Sequence, residues 1–247
     1  MRFNRKPILL LATGVVFILL ALTLNYHAVD NSLSAEDKQY IPKYLQGIAP
    51  LPDQPSYREE LAFIRSVQRS VLAIAPLEDA GIPFGQPREP MNLYIEKKGL
   101  CFDRSRVLEK IFRYSGFKTR HVSVYSTQDT RSAIKSLLTP QVMSHATTEV
   151  LTKKGWLVVE AYLTPWASID KNHDPVSLRE IQSFANGEKG RTDTIAWDTK
   201  PHPAILKILE SPFIAVYGLY SRHGYFYPPY NVIPDINYAE LMQNWLD

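Results

Sequence analysis

An uncharged apolar run at residues 8–24 stands at the N-terminus of the chain. At about 1.5 Å per residue, a helix of this length measures about 26 Å, which is close to the minimum for crossing a bilayer. Arg2, Arg5 and Lys6 precede the run. Because basic residues stay on the cytoplasmic side, the pattern predicts a signal anchor at residues 1–24, with residues 1–7 in the cytoplasm and the rest of the chain outside.

A cleaved signal peptide and a buried core helix are the alternatives for this run. Residues 25–28 offer a poor small-x-small cleavage site, and Ser32-Leu33-Ser34 suits a peptidase better but lies further downstream. The extreme N-terminal position and the basic flank are untypical of a core helix. We therefore expect a single-pass protein of the plasma or inner membrane, with a domain that is periplasmic in a Gram-negative cell.

Residues 25–55 are polar and contain four prolines, which predicts a stalk between the anchor and a domain at residues 56–247. In this domain the helical periodicity comes first and the strand alternation follows, which is typical of an α+β fold with an antiparallel sheet. The predicted elements are a helix that opens at the Ser56–Glu59 capping box, a loop over 77–95, helices over 100–115 and 130–138, strands over 118–126, 145–152, 155–162 and 213–220, and helices after Ser177 and Asn237.

The amino-acid composition excludes several classes of function. The net charge is only +3, and no basic stripe interrupts the pattern, so we expect no nucleic-acid partner. With a single cysteine, the chain has no intrachain disulfide and no thiolate-rich zinc site. The six histidines show no HExxH or HxH spacing. We therefore expect neither a metal nor another cofactor.

The single cysteine, Cys101, opens the amphipathic helix predicted over 100–115. Free backbone N–H groups and the helix dipole stabilise a thiolate at such a position, and a thiolate is a strong nucleophile. A thiol nucleophile needs an imidazole to handle its proton and a polar group to orient that imidazole. His145 opens one strand of the predicted hairpin and Glu160 lies on the other. A two-residue turn at either Lys153-Lys154 or Lys154-Gly155 places both side chains on one face of the sheet, because faces alternate with period two, whereas a three-residue turn would place them on opposite faces.

These segments resemble the boxes of the transglutaminase-like superfamily. Gly99-x-Cys101-x-Asp103 is similar to its cysteine box, the run from Phe112 to Arg120 to its helix-turn-strand segment, and His145-Ala146-x-x-Glu149-Val150 to its histidine box. The segment 155–160 resembles the one that ends in the catalytic aspartate, which is Glu160 here. The resemblance covers about residues 57–165 and leaves residues 166–247 as a C-terminal extension. It implies a papain-like core.

The resemblance implies a cysteine-dependent hydrolase or acyltransferase that acts on amides or esters through Cys101, His145 and Glu160. Asp170 and Asp235 are alternative partners for His145. The substrate would be a peptide or a glycan-linked group, and an aromatic-rich stretch, residues 217–230, is typical of such binding. Candidate substrate-binding residues are Asp103, Tyr217, Arg222 and His223. The alternative from another class is a non-catalytic envelope module beside polysaccharide machinery.

Overall fold

A computed structural model describes residues 6–78, 80–139, 141–162, 165–188, 195–197, 200–222 and 235–246 of the chain. Its first elements are the helices α1 (Lys6–Tyr26), α2 (Ala35–Tyr44), α3 (Tyr57–Ile74), α4 (Pro90–Glu96) and α5 (Cys101–Tyr114). Next come β1 (Lys118–Ser126), α6 (Ala133–Leu138), β2 (Ser144–Thr152), β3 (Gly155–Ala161), β4 (Pro165–Asp170) and α7 (Leu178–Ala185). The C-terminal part contains β5 (Ile195–Trp197), α8 (Pro203–Leu209), β6 (Phe213–Tyr217), β7 (Leu219–Tyr220), β8 (Asp235–Ile236) and α9 (Tyr238–Leu246).

Six strands form one antiparallel sheet in the order β5-β4-β3-β2-β1-β6. One face of the sheet packs with α2, α3, α4 and α5 around a core that includes Ile64, Ile111 and Val150. The other face packs with α7 and α8 around a second core that includes Val122 and Ile205. Helices therefore cover both faces of the sheet, and the predicted mixed α+β class is confirmed.

Helix α3 shows how local sequence fixes the first layer. The Ser56 hydroxyl accepts from the Glu59 backbone N–H, and the Glu59 carboxylate accepts from the Ser56 N–H at 2.6 Å, which completes the predicted capping box. Apolar residues at helical spacing, among them Ile64, Val67 and Val71, are fully buried. The helix thus presents one apolar stripe to the sheet and α5.

Residues 25–55 differ from the predicted stalk. They contain α2, whose Ile41 and Tyr44 are fully buried in the first core, and the Asp37 carboxylate pairs with Lys110 on α5 at 2.5 Å. The prolines misled the prediction because Pro42 lies inside the last turns of α2 without ending it before Tyr44. This segment is therefore part of the domain.

The apolar N-terminal run forms most of α1, and the large apolar side chains between Val15 and Leu24 are 42% to 66% exposed to solvent. Within the described residues, no helix combines the length and the apolar character that a membrane span requires. Residues 1–5 of the predicted cytoplasmic tip lie outside the described residues. The anchor over residues 1–24 therefore stays a prediction.

Candidate active site

The first turn of α5 is fixed by a buried carboxylate. Asp103 accepts from the backbone N–H of Leu100 at 2.7 Å and of Ile82 at 3.3 Å, and it pairs with Arg88 at 2.6 Å. These contacts satisfy donors at the helix start and tie the helix to the preceding loop. They leave Cys101 in the first helical turn, with a partly exposed side chain.

Gly99 allows this helix start to pack closely against its neighbours. A Cβ atom at position 99 would lie 2.7 Å from Cδ1 of Leu93 and 3.2 Å from Cβ of Asp103. The Gly99 carbonyl also accepts from Nη1 of Arg104 at 2.7 Å. The glycine two residues before Cys101 therefore has a packing role that any larger residue would disturb.

The β2–β3 hairpin positions the imidazole and the acid. Thr152 pairs with Gly155 and Thr148 with Val159, so the two strands are joined by a two-residue turn at Lys153-Lys154, one of the two predicted turn positions. Nε2 of His145 hydrogen-bonds to the Glu160 carboxylate, and both side chains are buried. Gln68 on α3 donates to the Glu160 carbonyl at 2.6 Å and fixes the backbone of the acid.

His145 interacts with both other members of the predicted triad. Its Nε2 hydrogen-bonds to the Glu160 carboxylate, and its imidazole lines the same cavity as Cys101, whose charge acts on it. Burial lowers the pKa of His145, but the charges of Glu160 and Cys101 outweigh burial and raise it to about 10. The imidazolium form is therefore favoured at neutral pH.

Arg104 is a second buried cation near the acid. Its side chain is almost fully buried, and Nη1 donates to the carbonyls of Gly99 and Ala75. Burial lowers the pKa of the Arg104 guanidinium, and the nearby Glu160 and Cys101 charges oppose that effect. Glu160 therefore has a cationic imidazole and a guanidinium as neighbours, and sequence reasoning had assigned no role to Arg104.

A cavity of about 560 Å³ adjoins Cys101 and His145. Its walls are mostly apolar and come from the start of α5, the residues around the start of β2, the end of β3, and α8. The apolar side chains that line it include Leu100, Phe102, Met143, Tyr162, Ile205 and Ile208. The sequence did not predict this wall. Helix α8 begins 40 residues or more after the other segments that line the cavity, and nothing in its own sequence marks it as a neighbour of Cys101.

The structure separates the alternative acids from His145. Asp170 is the last residue of β4, and its carboxylate accepts from the N–H groups of Asn172 and Asp174 in the turn that follows, both at 2.8 Å. Asp235 is buried and contacts Nδ1 of His27 at 3.3 Å and Nη2 of Arg222 at 3.5 Å. Glu160 is therefore the acid that the fold brings to His145.

The candidate substrate-binding residues do not line this cavity in the described part of the chain. Asp103 has the helix-start contacts given above, and the Tyr217 hydroxyl accepts from the Arg120 guanidinium at 3.2 Å in the second core. Arg222 donates to the Tyr26 carbonyl at 2.8 Å. His223 and the rest of the aromatic-rich stretch, as far as residue 230, lie outside the described residues.

An α+β domain that brings a helix-start cysteine, a strand histidine and a carboxylate together has the arrangement of a papain-like thiol fold. Residues 61–161 match the family model of the transglutaminase-like superfamily. The match runs from α3 to the end of β3 and contains Cys101, His145 and Glu160. The predicted resemblance to this superfamily is therefore confirmed over residues 61–161. A comparison with curated proteins finds no match.

The arrangement is suited to nucleophilic chemistry at a carbonyl carbon. The imidazolium can stabilise the thiolate and later protonate a leaving group, and the carboxylate can hold the imidazole in one orientation. Among the described residues, no group of three or more histidine, cysteine, aspartate or glutamate side chains is placed to hold a metal ion.

Proposed function

We propose that this protein is a cysteine-dependent ester or amide hydrolase, or acyltransferase, with Cys101 as nucleophile, His145 as proton carrier and Glu160 as the group that orients His145. The observation that carries the proposal is one buried imidazole that hydrogen-bonds to the Glu160 carboxylate and, together with Cys101, lines a cavity that can admit a substrate. The transglutaminase-like match over these three residues supports it.

In the proposed reaction, the Cys101 thiolate attacks the carbonyl carbon of the substrate and forms an S–C bond, while the C=O electron pair moves to oxygen. The tetrahedral intermediate collapses, the C–O or C–N bond breaks, and the leaving group takes the proton from the His145 imidazolium. A thioester remains on Cys101. Water or an amine then attacks this thioester, His145 accepts the proton of the attacking group, and the thiolate is regenerated.

The pH dependence of Cys101 alkylation by iodoacetamide tests the proposal. A thiolate–imidazolium pair reacts well below the range of an ordinary thiol, whose pKa is about 8.5. We expect rapid labelling at pH 6, together with turnover of an activated ester such as 4-nitrophenyl acetate. If labelling instead follows the pH dependence of an ordinary thiol and no ester is turned over, the alternative is supported, in which the fold serves as a non-catalytic module.

We propose further that the domain is anchored in the plasma or inner membrane and faces away from the cytoplasm. The uncharged run over residues 8–24 and the basic residues before it support this orientation. Alkaline phosphatase fused to the C-terminus tests it, because this enzyme folds only where its disulfides form. An active fusion is expected, and a stable but inactive fusion would refute the orientation. Whether the purified protein still begins at Met1 separates an anchor from a cleaved signal peptide.

A further inference from the structure

The cavity beside Cys101 has a wall that the family match does not include. Helix α8 contributes Ala204, Ile205, Lys207 and Ile208 to the lining, whereas the match ends at residue 161. The α8 residues occupy adjacent turns of one short helix, which begins at Pro203 after the His202 cap. The C-terminal extension therefore shapes the space into which an acyl group at Cys101 would extend.

The chemistry of this space is aliphatic rather than polar. Leu100 and Phe102 flank the nucleophile, and Ile205 and Ile208 face it from α8 with almost no exposure to solvent. Apart from Cys101 and His145, the described lining residues with polar side-chain atoms are Ser144, Tyr162 and Lys207. Ala204 and Lys207 are exposed, so the cavity opens to solvent along this side of α8.

A bound peptide would bring backbone amides that need hydrogen-bond partners, and an apolar wall leaves such groups unsatisfied at a cost. An alkanoyl group has no polar atom beyond its reacting carbonyl, so it meets no such cost. The cavity volume of about 560 Å³ is within the range of small-molecule sites. From the position of this apolar space next to the sulfur, we infer that the acyl donor is a linear aliphatic ester, thioester or amide, and that α8 selects it by chain length.

This inference rests on the proposed function, but a probe that needs no turnover can test it. Alkanals add to a thiolate: the S–C bond forms, the carbonyl π electrons move to oxygen, and the His145 imidazolium supplies the proton of the resulting thiohemiacetal. The alkyl group of an alkanal occupies the place of the acyl chain. Protection of Cys101 against iodoacetamide by acetaldehyde, butanal and hexanal therefore measures the affinity of the space for each chain.

Each methylene that becomes buried strengthens binding by about fourfold. We expect the concentration of alkanal that halves the labelling rate to fall by about that factor per methylene until the chain fills the cavity. A flat series would overturn the inference, as would stronger protection by N-acetyl-leucinal than by hexanal, which would indicate a peptide donor. The series is run at pH 9, where a thiol reacts even without help from His145. The chain-length result can therefore be obtained even if the proposed catalytic mechanism is wrong.

A matched pair of α8 variants localises the effect. Ala204→Trp places a large ring in the cavity from an exposed position, so we expect it to reduce the hexanal-to-acetaldehyde preference by about tenfold or more. Leu206 belongs to the same helix but does not line the cavity, and Leu206→Ala is expected to keep the preference. The preference is a ratio, so a general change in Cys101 reactivity cancels. Equal preferences in both variants would show that α8 does not select the chain.

Discussion

Glu160 reaches His145 across a diagonal of the β2–β3 ladder. The register that pairs Thr148 with Val159 places Glu160 opposite Thr147, so His145 lies two residues further along β2 on the same face. Diagonal neighbours on adjacent strands are about 7–8 Å apart, a distance that long side chains span. The glutamate here has one methylene more than the aspartate usual in transglutaminase-like proteins. Its length fits this diagonal contact, so the substitution does not by itself argue against a triad.

Removal of the nucleophile is expected to stop the reaction and leave the fold intact. Cys101 is partly exposed in the first turn of α5, and the buried contacts of that turn belong to Asp103. Arg104 holds the other buried contacts of the turn, through the carbonyls of Gly99 and Ala75. We expect Cys101→Ala to lose all hydrolysis of 4-nitrophenyl acetate at the site, at a cost of about 1 kcal/mol or less in the free energy of unfolding. Ester turnover and urea unfolding are the measurements. Unchanged turnover in this variant would refute a thiol mechanism, because the chain has no other cysteine.

Removal of the charge on Glu160 is expected to weaken the thiolate–imidazolium pair. The Glu160 carboxylate raises the pKa of His145, so Glu160→Gln lowers that pKa and reduces the imidazolium available to stabilise the thiolate. We expect iodoacetamide labelling at pH 6–7 to slow, and turnover to fall by up to about 10⁴, the largest effect found for a group of this kind. The labelling profile from pH 5 to 9 measures the change.

Asp170→Asn is the control for this prediction, since the Asp170 carboxylate at the end of β4 is bound by the N–H groups of Asn172 and Asp174 and not by His145. It should reproduce the profile of the parent protein. Glu160→Asp keeps the charge and is expected to have the milder effect, limited by the shorter reach across the diagonal. If Asp170→Asn shifted the profile and Glu160→Gln did not, the assignment of the acid would be wrong.

The His145–Glu160 pair is expected to make stability depend on pH above neutrality. The pKa of His145 is about 10 in the folded protein, against about 6.5 for an unperturbed histidine. Its contribution to the free energy of unfolding is therefore complete below about pH 6.5 and is lost as the pH rises through 10. Urea unfolding of the parent and of Glu160→Gln between pH 6 and 10 should give curves whose difference narrows with rising pH. A constant difference would contradict this assignment.

The buried ion pair between Arg120 on β1 and Glu149 on β2 is expected to stabilise the fold without changing the reactivity of Cys101. Arg120 donates from Nε to Glu149 at 2.6 Å, and its guanidinium lies 4.1 Å from the ring centres of both Trp156 and Tyr217. Glu149→Ala leaves the buried Arg120 without its carboxylate and should cost about 3–5 kcal/mol in urea unfolding. The exposed pair of Lys154 and Asp174 is the control, and Asp174→Asn should cost at most about 1 kcal/mol. A similar loss of unfolding free energy in Glu149→Ala and Asp174→Asn would contradict the expectation that the buried pair contributes more than the exposed one.

Elements with strong local signals were predictable from the sequence. The Ser56–Glu59 box and the stripe after it predicted α3, and the alternation around Val122 and Val124 predicted β1 at residues 118–126, which is where the structure has it. The strand predicted over 213–220 is interrupted, because Gly218 has a φ of +74° and separates β6 from β7. A Cβ atom there would lie 2.5 Å from the Asn237 carbonyl oxygen, so the break is set by packing against α9.

Only the part of the site that lies on the β2–β3 hairpin and at the start of α5 was predictable from the sequence. Period-two alternation relates His145 to Glu160 through a short turn, and the sequence displays both the turn and the parity. The α8 wall, Arg104 and the buried α2 depend on contacts between distant segments, which no local pattern encodes. Position 90 shows the same limit, because Pro90 indicated a loop but serves as the first residue of α4.

The segment that follows α1 is held to the domain at three successive points. The Ile236 N–H donates to the His27 carbonyl and the Val29 N–H donates to the Ile236 carbonyl, both at 2.8 Å. The Asn31 amide then donates to Glu240 at 2.7 Å and accepts from Arg106. Proteolytic release at Ser32–Ser34 would therefore remove the backbone pairing with Ile236 and leave Arg106 and Glu240 each short of a buried partner. The released form would therefore be less stable than the full chain. The residues that join α1 to the domain are bound to it, so they would not act as a flexible linker that lets the domain reach a distant substrate.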